Sequence, residues 1–316
     1  MIKIGIVVMD PESYLALVED QDTPLLLEAL ERAGASAEAI SWHDQEADWS
    51  EIDLAVLRTP WDYSQQPLAF EAWLEHAAAR TTVLNEPELV RWNMDKHYLE
   101  ELAGAGITVV PSTYHGEEGS LRAALAGHAG QQIVLKPSVS AGSRHTGLFA
   151  ADDPAALQLG REILAGGRTV MLQPEVPELS EGLEKALYVI DGHFTHAIAK
   201  GALLARGGGL RGGGYQENPQ LVTAEPAERA FAKEVLTAAT RATGLEVPLY
   251  ARIDMVNTAQ HGLVLLEAEL IEPSLNLPLA PEAADVLAEA ILARVRAADP
   301  ASSRQPARQG ATQRHR

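Results

Sequence analysis

Leu249–Asn276, LYARIDMVNTAQHGLVLLEAELIEPSLN, decides the reading of the whole chain, because it sets several carboxylates along one hairpin. Tyr250 to Val256 has the β-branched and aromatic content of a strand, Asn257 to Gly262 is rich in turn formers, and Leu263 to Ile271 returns as a second strand. Residues two apart on a strand share a face, so Arg252 is expected beside Asp254, and Glu267 beside Glu269. The returning strand opens Leu263, Val264, Leu265, Leu266, apolar on both faces. Two glutamates following on a strand of that kind are costly unless a cation compensates them. Oxygen ligands without neighbouring His or Cys favour a hard ion, and Mg²⁺ is usual where one or two carboxylates share the metal with phosphates. A hairpin with a solvated acidic face is the plainer alternative, and upstream lysines decide between the two.

Composition narrows the function classes. The 316 residues are 46% apolar, enough for a sizeable core in one multi-lobed unit or two to three small domains. No apolar run approaches the ~20 residues needed to cross a bilayer, and the opening MIKIGIVVMD has too short an apolar core for a signal peptide, so a cytoplasmic protein is expected. Without cysteine there are no disulfides, thiolate nucleophiles or zinc-thiolate sites. A net charge of −19 disfavours nucleic acid and an anionic membrane surface as partners, neither of which would find a broad basic patch; a small-molecule substrate and a monomer or homodimer are expected. An anionic ligand must then find local cations, and lysines are few: six, against nineteen arginines.

From the N-terminus, Ile2 to Val8 is a β-branched apolar run and Thr23 to Ala33 has helical spacing closed by Gly34. Strands at Ala37 to Trp42 and Leu54 to Leu57 complete a small parallel sheet, with ligand-binding loops expected at the strand C-termini. The third strand runs into Arg58, Thr59, Pro60, Trp61, Asp62 and Tyr63, where a guanidinium could hold a carboxylate bidentately beside an aromatic wall. The same residues could equally pack a βα corner, with Arg58 paired to Asp62.

A new unit begins near Pro87. Glu88 to Ala103 has the pattern of one amphipathic helix holding Lys96, and Ile133 to Pro137 is a strand carrying Lys136 at its edge. Ser138 to Gly147 (SVSAGSRHTG) consists largely of small residues that let backbone amides approach phosphate, though it lacks the Walker and dinucleotide glycine patterns. Val170 to Leu172 leads into Gln173, Pro174, Glu175, Val176. Ala186 to Ile190 and His193 to Lys200 make a hairpin ending in Lys200. Gly201 to Gly214 holds six glycines in eight residues around Leu210 and Arg211, expected to be a mobile lid. Glu225 to Thr243 and Pro281 to Ala297 are helices, and 299–316 is expected to be a disordered tail.

Lys96, Lys136 with its small-residue loop, the QPEV segment, ARID and LLEAELIEPS, in this order over residues 87–295, resemble the ATP-grasp enzymes of the glutathione synthetase type. RTPWDY and ELIEPS further resemble a bacterial subgroup that includes the ligase closing the cycloserine ring. The resemblance implies an α/β fold with an N-terminal Rossmann-like domain (1–86), a central lobe (87–180) and a C-terminal lobe with the metal site (181–298). It implies ATP and Mg²⁺ as cofactors. Lys96 and Lys136 would bind phosphate, Ser140, Ala141 and Gly142 would cover it, Gln173, Glu175 and Val176 would belong to the adenine hinge, and Glu184 would hold the ribose. Asp254, Glu267 and Glu269 would hold the metal, Glu269 standing where many members have Asn. Arg252, Lys200 and Arg211 would act on the reacting groups, and Arg58, Trp61, Asp62 and Tyr63 would meet an amino-acid-like substrate. The implied chemistry is carboxylate activation as an acylphosphate and capture by nitrogen, in an antibiotic-biosynthesis ring closure on an O-ureido serine or in amino-acid ligation. A small-molecule kinase would omit the second substrate, and a module that only bound nucleotide would have less use for the complete residue set.

Overall fold

Alternating apolar runs and helical repeats resolve, in a computed structural model that describes residues 1–10, 19–213 and 218–298, into thirteen strands and nine helices among the described residues. They are β1 (Lys3–Val8), α1 (Asp22–Arg32), β2 (Ser36–Ser41), β3 (Leu54–Thr59), α2 (Pro67–Ala78), β4 (Thr82–Leu84), α3 (Pro87–Met94), α4 (Tyr98–Gly104), β5 (Thr113–His115), α5 (Glu118–Gly127), β6 (Gln132–Pro137) and β7 (Gly147–Ala150). There follow α6 (Pro154–Ala165), β8 (Val170–Pro174), α7 (Pro177–Ser180), β9 (Glu184–Ile190), β10 (His193–Lys200), β11 (Gln220–Val222), α8 (Pro226–Thr243), β12 (Tyr250–Thr258), β13 (Gly262–Glu269) and α9 (Glu282–Ala298). Residues 299–316, expected to be a disordered tail, and Gly214 of the expected lid lie outside the described residues.

Three sheets result. The first is wholly parallel in the order β2-β1-β3-β4. The second, β5-β8-β6-β7, and the third, β11-β10-β9-β12-β13, are antiparallel. Each sheet falls inside one of the three stretches 1–86, 87–180 and 181–298, but the core does not. Ile4, Leu26 and Leu30 share one buried cluster with Tyr188, Leu277, Leu287 and Ile291, so α1 packs on α9 and the first sheet is fused to the last. No helix among the described residues is long and apolar enough to cross a membrane.

The reading of one continuous helix over Glu88 to Ala103 is corrected: it breaks at Asp95, whose backbone is extended (φ −103°, ψ 123°). The Asp95 carboxylate accepts from the His97 amide at 3.1 Å, a local turn that competes with the helical ladder. The break frees the Lys96 amide to bond Ser138 O at 2.9 Å, which brings the lysine and the small-residue loop together. The expected lid also takes a defined form. Leu148 N bonds Gly208 O and Gly207 N bonds Leu148 O, both at 2.8 Å, so the segment is a hairpin laid on the edge of β7. Gly207 turns at φ 74°, and a Cβ at Gly209 would meet Thr146 O at 3.3 Å. The glycines therefore permit a turn and a close approach.

Polar side chains fasten the end of β13. Asn85 donates to Tyr250 O (3.0 Å) and Leu270 O (2.6 Å) and accepts from Leu249 N (2.6 Å). Asn93 bridges Ala268 O (2.8 Å) and Leu270 N (2.9 Å), while the Tyr98 hydroxyl bonds both polar groups of the Ala268 backbone. Buried amides satisfied in this way cannot shift without losing a partner. The strand that carries the glutamates is thus anchored to the chain around residues 85–98.

Candidate active site

The β12–β13 register sets Arg252 opposite Glu269 and Asp254 opposite Glu267, so the four charges share one face as the strand parity predicts. They line a cleft of about 580 Å³ between the second and third sheets, a volume suited to a small ligand. Facing them from the second sheet are Lys136 and Gln173, with Lys96 from the helix break and Lys200 and Glu184 from β10 and β9.

Every charge at the centre is cross-braced. Lys200 lies 2.9 Å from Glu184 and 2.7 Å from Asp254. Arg252 donates Nε and Nη2 to the two Asp254 oxygens, each at 2.9 Å, and Nη2 also meets Glu269. Lys96 Nζ holds Glu267 at 2.8 Å and Ser140 O at 3.0 Å, while Lys136 stands 3.9 Å from Glu267. Burial opposes ionisation of Asp254, but Arg252 and Lys200 outweigh it and hold the carboxyl below its ordinary range. Glu267 is likewise held down against burial by Lys96 and Lys136. The lysines differ from each other. Burial works against Lys96 but Glu267 keeps its pKa raised, whereas burial, with Lys96 nearby, leaves Lys136 lowered. Lys136 is the cation most in want of an anion.

Glu269 shows the opposite shortage. Burial, with Asp254 and Glu267 beside it, raises its carboxyl to about 8 despite Arg252. Among the described residues no three His, Cys, Asp or Glu side chains stand close enough to hold an ion as they are, and the central carboxylates are paired with lysine and arginine. The donor set nevertheless fits Mg²⁺: three carboxylates on paired strands, oxygen only, and one of them short of positive charge. An anion drawing off the lysines would leave those oxygens open to a divalent ion.

Other expected residues fall in two groups. Ser140, Ala141, Gly142, Gln173, Glu175 and Val176 all line the cleft, as do Trp61 and Tyr63. Glu175 is braced by Ser180 Oγ at 2.6 Å and by Arg206, whose Nη2 reaches its two oxygens at 3.0 and 3.1 Å. Arg211 is exposed and donates to Leu204 O (2.8 Å) and Ser180 O (3.1 Å), bracing the glycine hairpin instead of lining the cleft. Arg58 and Asp62 also lie behind the cleft wall. Asp62 accepts from Trp42 Nε1 at 2.7 Å and lies 2.6 Å from His43 Nε2, and Arg58 donates to Pro273 O at 2.6 Å with its guanidinium 4.8 Å from the Tyr250 ring centre. Arg58→Lys, which keeps the charge but loses the flat fork, is therefore expected to cost about 2 kcal/mol and lower the melting temperature by a few degrees. Thermal unfolding checks it; an unchanged melting temperature with a raised KM for the acceptor would place Arg58 on the substrate.

Asp22, Asn93, Arg144, Glu272 and Asn276 line the cleft without having been anticipated. Glu272 and Asn276 belong to Leu249–Asn276, but β13 ends at Glu269, short of the expected Ile271, so strand parity does not aim them.

A family model for the N-terminal domain of D-cycloserine synthetase DcsG matches residues 4–85. The cycloserine biosynthesis protein DcsG of Streptomyces lavendulae is 33% identical over 290 residues, 89% of this chain and 96% of the relative. A crystal structure of D-cycloserine synthetase DcsG superposes with a TM-score of 0.85 at 32% identity, covering 93% of this chain and 99% of that one. The ATP-grasp ligase PsnB, solved with a minimal precursor, Mg and ADP, shares the fold at a TM-score of 0.59 and 16% identity, over 92% of this chain and 97% of its own. The chain has the ATP-grasp fold and belongs to the DcsG family of ATP-dependent ligases.

Proposed function

We propose that the chain uses ATP and Mg²⁺ to convert a carboxylate of a small amino-acid-like substrate into an acylphosphate, which a nitrogen nucleophile then captures. Where both groups belong to one molecule, as in an O-ureido serine, the product is a ring. The observation that carries this reading is the single cleft in which Lys96, Lys136, Lys200 and Arg252 interleave with Glu184, Asp254, Glu267 and Glu269.

Lys96 and Lys136 would take the phosphates, with the backbone of Ser140 to Gly142 closing over them. Gln173 to Val176 would meet the adenine edge and Glu184 the ribose. Asp254, Glu267 and Glu269 would hold Mg²⁺, which when bound would neutralise phosphate charge. Arg252, pinned by Asp254 and Glu269, offers a fixed positive charge where a phosphoryl group or a tetrahedral centre develops its negative charge. Lys200 shares Asp254 with Arg252 and also holds Glu184, and would steady both. Because phosphoryl transfer asks little covalent chemistry of a protein, placement and charge supply most of the rate. Trp61 and Tyr63 wall the acceptor end, and the glycine hairpin on β7 keeps water from the activated carboxylate. The stretches 1–86, 87–180 and 181–298 would serve as acceptor, nucleotide and metal units.

The test is a panel of amino acids, ureido amino acids and dipeptides offered with Mg-ATP. A ligase is expected to release ADP and phosphate in equal amounts only when its carboxylate substrate is present. Accumulation of a stable phosphorylated product without free phosphate would make the protein a kinase.

A further inference from the structure

The loop after β13 is held by three side chains of the N-terminal stretch. Trp61 Nε1 donates to Glu272 O at 2.8 Å and Arg58 to Pro273 O at 2.6 Å. The buried Asp22 carboxylate accepts from the amides of Leu275 (2.6 Å) and Leu277 (2.7 Å). Backbone bonds of this number and shortness fix where the intervening side chains stand. One of those side chains is Glu272, which lines the cleft with its carboxylate beside the buried Tyr63 hydroxyl.

Glu272 differs from its neighbours in its partner. Glu267 and Glu269 are ion-paired to Lys96 and Arg252, whereas Glu272 rests against a neutral phenol. The charges that face it are Lys96, Arg252 and Glu267. Burial raises its carboxyl to about 7; Glu267 adds to the rise, while Lys96, the Tyr63 hydroxyl and Arg252 hold it from going higher. A carboxylate in this position can collect a proton near neutral pH, which is what a general base at a ligase must do. None of the roles assigned to the other cleft residues removes the proton that the attacking nitrogen has to lose.

We propose that Glu272 is the proton acceptor for the nitrogen nucleophile and that Tyr63 is the residue positioning it, an inference that rests on the ligase reading of the site. In the step, the nitrogen lone pair forms a bond to the acyl carbon, the bond from that carbon to the phosphate oxygen breaks, and phosphate leaves with the electron pair. The N–H proton passes to a Glu272 oxygen and thence to solvent. No group is oxidised or reduced.

The experiment compares wild type with Glu272→Gln on O-ureido serine and Mg-ATP, with and without excess hydroxylamine, which traps an activated carboxylate as its hydroxamate. The Gln variant is expected to lose ring formation by about 10²-fold or more while trapping falls by less than about threefold. Equal loss of both would show that Glu272 shapes the site and overturn the proposal, as would ring formation at the wild-type rate. If wild type itself gives no hydroxamate, the ligase reading fails and the proposal falls with it. Tyr63→Phe supplies a second readout that packing alone would not move. Without the hydroxyl, the Glu272 carboxyl should rise, so the low-pH limb of kcat/KM for ring formation should move to higher pH; an unmoved limb would contradict the assignment.

Discussion

Glu267→Gln is expected to lower turnover by about 10³-fold or more, several kcal/mol of transition-state stabilisation, while leaving the fold in place. The side chain accepts Lys96 at 2.8 Å and faces Lys136 at 3.9 Å, and it shares a strand face with Glu269 opposite Asp254. Gln keeps the volume and one acceptor for Lys96, so the strand, fastened separately by Asn85, Asn93 and Tyr98, has no reason to move. What it loses is the charge that a divalent ion requires. Asp254→Asn should behave in the same way, at some cost in stability because Lys200 and Arg252 both lose their shared partner. Phosphate release measured beside circular dichroism checks both variants. Native spectra with undiminished turnover would remove the metal site from the account.

Lys136→Ala should weaken ATP binding by about 2–5 kcal/mol, roughly thirtyfold to a few thousandfold in Kd. The magnitude follows from where the lysine stands. It is buried, its pKa is lowered by that burial and by Lys96, and its carboxylate partner is already held closely by the other lysine. Such a cation gains most from an incoming phosphate, and its loss leaves that phosphate desolvated and unpaired. Since Glu267 keeps Lys96, the variant should fold normally. Calorimetric titration with Mg-ATP decides the matter, and equal affinity in wild type and variant would mean that phosphate binds elsewhere.

What the sequence made legible was local. The parity of β12 and β13 placed Arg252 with Asp254 and Glu267 with Glu269 because period-2 alternation and a turn suffice to set a hairpin. Gly244 closed α8 where a left-handed residue (φ 70°) was needed, and Pro226 opened it. Features that depend on distant partners stayed hidden. The Arg58 guanidinium finds its acceptor 215 residues away and the Asp22 carboxylate its donors 253 and 255 residues away, so no local pattern names either partner. The three-residue strands β5 and β11 and the four-residue β7 carry no period of their own and exist through pairing with a longer neighbour. The glycine hairpin looked mobile for the same reason, since its partner is the backbone of Leu148.

Activation of a substrate carboxylate as an acylphosphate in the cleft between Lys136 and Asp254 can be followed by isotope transfer. An O-ureido serine whose carboxylate oxygens carry a heavy isotope is turned over with Mg-ATP, and the released phosphate is analysed by mass spectrometry. One labelled oxygen per phosphate is expected, because the bond that breaks when nitrogen attacks is the one from the acyl carbon to the bridging oxygen. Product formation with unlabelled phosphate would rule out an acylphosphate.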